Sequence, residues 1–131
     1  MDTLARRLTC LTVCLSLSTA IAADFDGSKP LICAPTEAVD LFAGDRIVKA
    51  RPSDIGAPSF LRVDIANKKI AGSKRVTPIK YIEKNDMQIL LQGTELGFGW
   101  TLALDQNEGA MTITFVDRMG AVVLSGTCTP A

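Results

Sequence analysis

The 131-residue chain contains no histidine. Without an imidazole, the Ser-His-Asp and Cys-His routes to an activated nucleophile are closed. The same absence leaves the cysteines without the nitrogen ligands of an ordinary zinc site, so neither a metal nor a cofactor is expected. Net charge is lacking too, with 14 basic residues against 14 acidic ones. A near-neutral domain does not offer the basic face that nucleic-acid binding needs. After the first two dozen residues, no apolar run approaches the ~20 residues that cross a bilayer as a helix. A phosphate loop is missing as well: Gly97-Phe98-Gly99 is followed by neither a helical pattern nor Lys-Ser/Thr.

What is present begins with the leader. Met1–Arg7 is short and carries Arg6 and Arg7, and Leu8–Ile21 is uncharged and largely apolar. Ala20-Ile21-Ala22 then places small residues at −3 and −1 of a cleavage site. This pattern predicts a secretory signal peptide over residues 1–22 and a periplasmic or secreted domain over residues 23–131. Lipidation at Cys14 is not expected, because Val13 precedes it where a small residue is required. The exported part has 109 residues, with 12 basic and 13 acidic side chains once Arg6, Arg7 and Asp2 are gone. That is one domain, expected to be soluble and monomeric, with a core of modest size.

Cys10 and Cys14 leave with the leader, so Cys33 and Cys128 have a single possible pairing in an oxidising compartment. Closing so long a loop removes unfolded-chain entropy worth roughly 4–5 kcal/mol.

Hydropathy divides the rest. Residues 24–59 are punctuated by Pro30, Pro35, Pro52 and Pro58 and are expected to be largely irregular. Leu31-Ile32-Cys33 reads as a short strand, Glu37–Phe42 as one or two helical turns stopped at Ala43-Gly44, and Ser53–Gly56 as a turn. From Phe60 onward the period is two. Leu61, Val63 and Ile65 form one apolar face; Thr77, Ile79 and Tyr81 form another, interrupted by Pro78. Ile89 and Leu91, then Trp100, Leu102 and Leu104, then Ile113 and Phe115, then Val122 and Leu124 continue the pattern between turns spaced every 8–12 residues. The chain is therefore expected to be all-β: a small antiparallel meander barrel of seven to eight strands closed by the disulfide, with a β-sandwich as the alternative.

Two segments stand out as candidate binding surfaces. Lys68, Lys69, Lys74, Arg75, Lys80 and Lys84, with Tyr81 among them, form a stretch suited to an anionic partner. The competing reading is a solvated face that keeps an edge from aggregating. Gly93-Thr94-Glu95-Leu96-Gly97-Phe98-Gly99-Trp100 surrounds the only tryptophan with three glycines. It suggests a close approach of backbone to a ligand, with Glu95 and Phe98 at its mouth. The competing and favoured reading is a bulged hairpin in which glycine supplies curvature. No catalytic residue is assigned. A carboxylate hydrolase would have to draw on Asp64, Glu83, Glu95 and Asp105.

Several runs carry a resemblance. Pro30-Leu31-Ile32-Cys33-Ala34-Pro35, Leu91-Gln92-Gly93-Thr94-Glu95, Gly99-Trp100-Thr101-Leu102-Ala103-Leu104-Asp105 and Gly126-Thr127-Cys128 resemble a family of small exported proteobacterial proteins of unknown function. The resemblance spans nearly all of the exported part and implies no activity. Relatives often carry extra cysteines near Asp40–Arg46, and this chain has none there. The layout is also similar to that of the small β-barrel inhibitors of lysozyme, though their Ser/Gly-rich inhibitory loop has no match here. Together these observations point to a non-enzymatic binding module of the bacterial envelope, with an unknown envelope protein or anionic ligand as partner. The alternatives are an inhibitor of an exogenous hydrolase such as lysozyme, a carrier of a small apolar ligand with Trp100 and Leu102 lining its cavity, and the carboxylate hydrolase.

Overall fold

A computed structural model describes residues 25–42 and 46–131. The expected signal peptide with its expected cleavage site, Cys10, Cys14 and the expected Ala43-Gly44 stop lie outside the described residues. The described chain is all-β apart from one 3₁₀ turn at Pro52–Ile55. Its strands are β1 (Leu31–Phe42), β2 (Arg46–Ala50), β3 (Leu61–Asp64), β4 (Lys69–Ala71), β5 (Val76–Pro78), β6 (Tyr81–Lys84), β7 (Gln88–Glu95), β8 (Phe98–Asp105), β9 (Ala110–Asp117) and β10 (Gly120–Pro130).

They form one antiparallel sheet in the order β5-β4-β3-β1-β10-β9-β8-β7-β6, with β2 added to the free half of β1. The two ends of that order, β5 and β6, are separated in sequence only by Ile79 and Lys80. One run of chain thus pairs with β4 on one side and β7 on the other, and the strongly curled sheet is drawn into a barrel rather than a sandwich. At the junction the Ile79 N–H donates to the Lys68 carbonyl (2.9 Å) and the Lys80 N–H to the Gln92 carbonyl (2.8 Å).

The junction also corrects the expected face of this run. Thr77 and Ile79 turn inward with Ile70, but beyond the break it is Ile82, opposite Leu91, that packs on the core. Tyr81 is left on the outer surface, where its hydroxyl donates to Glu83 at 2.8 Å. Pro78, which has no N–H to give a ladder, ends β5 just before the break.

The N-terminal segment departs most from expectation. Instead of irregular chain with a short helix, residues 31–42 form the longest strand, and β2 brings the total to ten rather than seven or eight. Glu37–Phe42 is extended because the upper half of β10 needs a partner: Ala38 pairs with Leu124 and Asp40 with Val122. Tertiary pairing overrides a weak local preference for helix. A bulge between Pro35 and Glu37 absorbs the proline. Opposite it, Gly126 is obligatory, since any Cβ there would collide with the Ala34 carbonyl.

Leu31, Val63, Ile89, Leu91, Leu102, Leu104 and Leu124 fill the centre. Cys33 and Cys128 face each other in register across β1 and β10, both buried, with their sulfurs bonded at 2.00 Å. The disulfide therefore staples two neighbouring strands from inside the core.

Register gives the barrel two unlike ends. At the base, the Phe25 ring lies over Gly109, where a Cβ would stand 2.5 Å from it. Buried Gln106 ties the base turns together by donating from its side chain to the Asn85 and Gln88 carbonyls. The Cys128 N–H donates to the Gly109 carbonyl at 2.7 Å. The other end, formed by the starts of β3, β5, β8 and β10 and the ends of β4, β7 and β9, stays open.

Candidate functional site

The open end holds a cleft of about 1260 Å³. That slightly exceeds the roughly 300–1,000 Å³ of ordinary small-molecule sites. Phe98 and Phe115 lie edge to face within it, with ring centroids 5.3 Å apart and planes at 82°. Register explains their meeting. Trp100 pairs with Phe115 across β8 and β9, and Phe98 stands two residues above Trp100 on the same inward face. Phe115 continues into Val122 and then Asp40 across β10 and β1. The wall opposite is residues 55–62, launched from the 3₁₀ turn, whose Arg51 guanidinium and N–H clasp the Asp54 carboxylate at 3.1–3.2 Å. The hydrogen bonds from Arg51 hold the Asp54 carboxyl below the usual carboxylate range.

Charge enters at the rim. The β4–β5 turn, closed by the Gly72 N–H donating to the Arg75 carbonyl (2.8 Å), presents Lys74 and Arg75. The Arg75 guanidinium stands 3.9 Å from the Glu95 carboxylate, a long contact for a side chain that is 60% exposed. Such a pair adds little to stability, about 0–1 kcal/mol, and leaves the guanidinium able to exchange partners. Arg62, Asp40 and Asp117 complete the charged lining.

The fold thus brings together parts of both segments that the sequence singled out: Lys74 and Arg75 from the basic stretch, and Glu95 and Phe98 from the glycine-rich one. The other three candidates stand apart from it. Lys80 donates to the Thr94 hydroxyl (2.5 Å) and Tyr81 to Glu83. The hydrogen bond to Glu83 raises the Tyr81 phenol above its ordinary range. Trp100 is a core residue rather than a cavity wall, and Leu102 is fully buried; neither lines the cleft. The Trp100 ring lies across Gly93, its cross-strand partner, where a Cβ would stand 2.5 Å from the indole and 2.8 Å from the Pro78 carbonyl. Gly93 therefore serves the barrel seam, where β5 approaches β7. The Trp100 indole N–H has no hydrogen-bond partner among the described residues.

Leu96 and Gly97 form the two-residue turn between the paired Glu95 and Phe98. Both have positive φ, +47° and +87°. Gly97 adopts this freely, whereas a leucine there costs roughly 1–2 kcal/mol. The strained side chain is 68% exposed.

The four candidate acids do not converge. Asp64 is at the base, buried, and accepts from the Asn67 side chain (2.9 Å) and N–H (3.1 Å). Those bonds, the side-chain one foremost, hold its carboxyl below the ordinary range. Asp105 accepts from the Asn107 N–H (2.7 Å) in another base turn, and Glu83 lies beside Tyr81. Glu95 alone of the four lines the cleft. Sequence reading missed Phe60, Phe115 as a cleft wall, and Asp40. Only strand order places them at one opening, and no local pattern encodes that. Among the described residues no cluster of metal-ligating side chains exists, and no helix is long and apolar enough to cross a membrane.

No protein-family model matches the chain, and no curated protein or solved structure matches it either.

Proposed function

We propose that the protein is an exported, non-enzymatic binding module that takes the apolar body of an amphipathic ligand into the barrel mouth. An anionic head would lie beside Lys74 and Arg75. The observation that carries this reading is the large open cleft, floored by Phe98 and Phe115 and edged by cations on one side. An apolar lining with a few convergent polar groups is the usual form of a small-molecule site. The disulfide and the leader pattern support an envelope or secreted setting.

The test is titration with a dansyl-labelled undecanoic acid and with the matching alcohol. Phe98→Ala and Phe115→Ala should each weaken both by about tenfold, the loss of part of an aromatic wall. The pair Lys74→Glu and Arg75→Glu should weaken the acid more than the alcohol. Absence of saturable binding, or binding indifferent to all four changes, would sink the proposal. One observation favours the inhibitor alternative, the strained and exposed Leu96 at a hairpin tip. Tight lysozyme binding abolished by Leu96→Asn would establish it instead.

A further inference from the structure

We infer that the open end of the barrel docks on an anionic lipid surface, which supplies the cleft with an acyl chain. This rests on the reading of the cleft as a site for an amphipathic ligand. It comes from a separate observation, the placement of exposed apolar side chains.

The loop entering β3 carries Phe60 at 62% exposure, the β7–β8 turn carries Leu96 at 68%, and the β9–β10 turn carries Met119 at 58%. Register puts all three at the open end, around the cleft. The turns at the closed base, Ile65–Lys68, Asn85–Met87 and Gln106–Gly109, together carry one exposed large apolar side chain, Met87 at 71%, since Ile65 packs on the core. Exposed apolar side chains scattered singly are ordinary on a domain surface, but three grouped around one apolar opening mark a surface that meets an apolar phase. Leu96 strengthens the point, because its turn keeps it outward in a backbone conformation that glycine or asparagine would adopt without strain.

Charge agrees. Lys74, Arg75 and Arg118 stand among these tips, and among the described residues nothing pairs with Lys74 or Arg118. Of the nearby acids, Asp40 lines the cleft with the cation Arg62, Glu95 faces Arg75, and Asp117 accepts the Met119 N–H at 2.7 Å. At the base, Lys68, Lys69 and Lys84 are interspersed with Asp64, Asp86 and Glu108, and Lys84 donates to the Asp26 carbonyl at 2.6 Å. Apolar tips with interleaved cations fit the interface of an anionic bilayer, where the side chains enter the acyl boundary and the cations meet head groups. A barrel so docked has its mouth against the acyl region, so a chain could enter without crossing water.

The experiment uses protein expressed from the full chain and recovered as the cell processes it. It is sedimented with vesicles of equal phosphatidylglycerol and phosphatidylcholine, and with vesicles of phosphatidylcholine alone. Wild type should partition to the mixed vesicles, less at high salt, and at least about tenfold less to the neutral ones. The double variant Leu96→Asn, Arg118→Gln, in which neither residue lines the cleft, should lose at least about tenfold in partition while still binding the dansyl acid in solution. Asparagine accepts the backbone of position 96, so an unchanged or higher melting temperature separates this loss from unfolding. Wild type that binds the dansyl acid but no vesicle overturns the docking and leaves the cleft reading standing. Vesicle binding without dansyl binding overturns the cleft reading and, with it, the supply of a chain. Equal partition of the double variant, or equal partition to neutral vesicles, overturns the assigned surface.

Discussion

At the scale of single residues, two testable constraints lie outside the cleft. Gly93 leaves no room for even one carbon between the Trp100 indole and the Pro78 carbonyl. One of these neighbours is backbone, which cannot rotate away. Gly93→Ala should therefore destabilise by about 1–3 kcal/mol, the cost of overpacking a seam, read as a lower denaturation midpoint at unchanged slope. Gly99→Ala, with open space around its Cβ position, is the control. Asp64 gives a pH prediction. Its folded carboxyl titrates below its ordinary value because Asn67 donates two hydrogen bonds to it. The stability it adds is present above the ordinary carboxylate range and is lost as pH falls through the depressed value. Comparing melting temperatures of wild type and Asp64→Asn, the gap at pH 6 should close on acidification below about pH 4. A gap constant with pH would show that the Asp64 charge contributes nothing to the turn.

At the scale of elements, β1 and β10 organise the molecule. β1 gives one edge wholly to β10 and divides the other between β3 and β2. The disulfide sits near the base end of this pair, bridging residues 95 apart in sequence. Replacing both cysteines with alanine should cost about 2–5 kcal/mol, since the unfolded chain regains the freedom of a long loop. Chemical denaturation checks it, and a loss below about 0.5 kcal/mol would mean that the ladder alone sets the closure. The 3₁₀ turn is a smaller unit, fastened by Arg51 and Asp54, and it carries the loop that forms one wall of the cleft.

At the scale of the whole molecule, the asymmetry between the ends matters most. The base is closed by Phe25 and Gln106, whereas at the mouth Phe98 and Phe115 are half-buried and Phe60 is exposed. Its lining joins apolar side chains to Asp40, Arg62, Lys74, Arg75, Glu95 and Asp117. The expected weakening of the dansyl acid by Phe98→Ala belongs to this scale, since Phe98 and Phe115, neighbours through the β8–β9 register, face residues 55–62 only across the opening.

The period-two pattern from Leu61 to Leu124 determined the all-β class and most of the core, because alternation is a local consequence of the pleat. Setting Cys10 and Cys14 aside with the leader pattern left Cys33 and Cys128 as the expected pair, and these are the bonded residues. The turn at Leu96-Gly97 was visible as glycine-rich chain, and the charges of Lys74 and Arg75 were visible as such. Tertiary structure decided what these had to do with one another. The extension of β1 followed from unpaired backbone on β10, which outweighs local preference at Glu37–Phe42. The outward turn of Tyr81 followed from the break at Ile79-Lys80, which shifts a side-chain alternation by one. The cleft followed from curling: bending the sheet until Val76–Lys84 joined both its ends is what brought Arg75 opposite Glu95, beside a Phe98–Phe115 pair already set by the β8–β9 register.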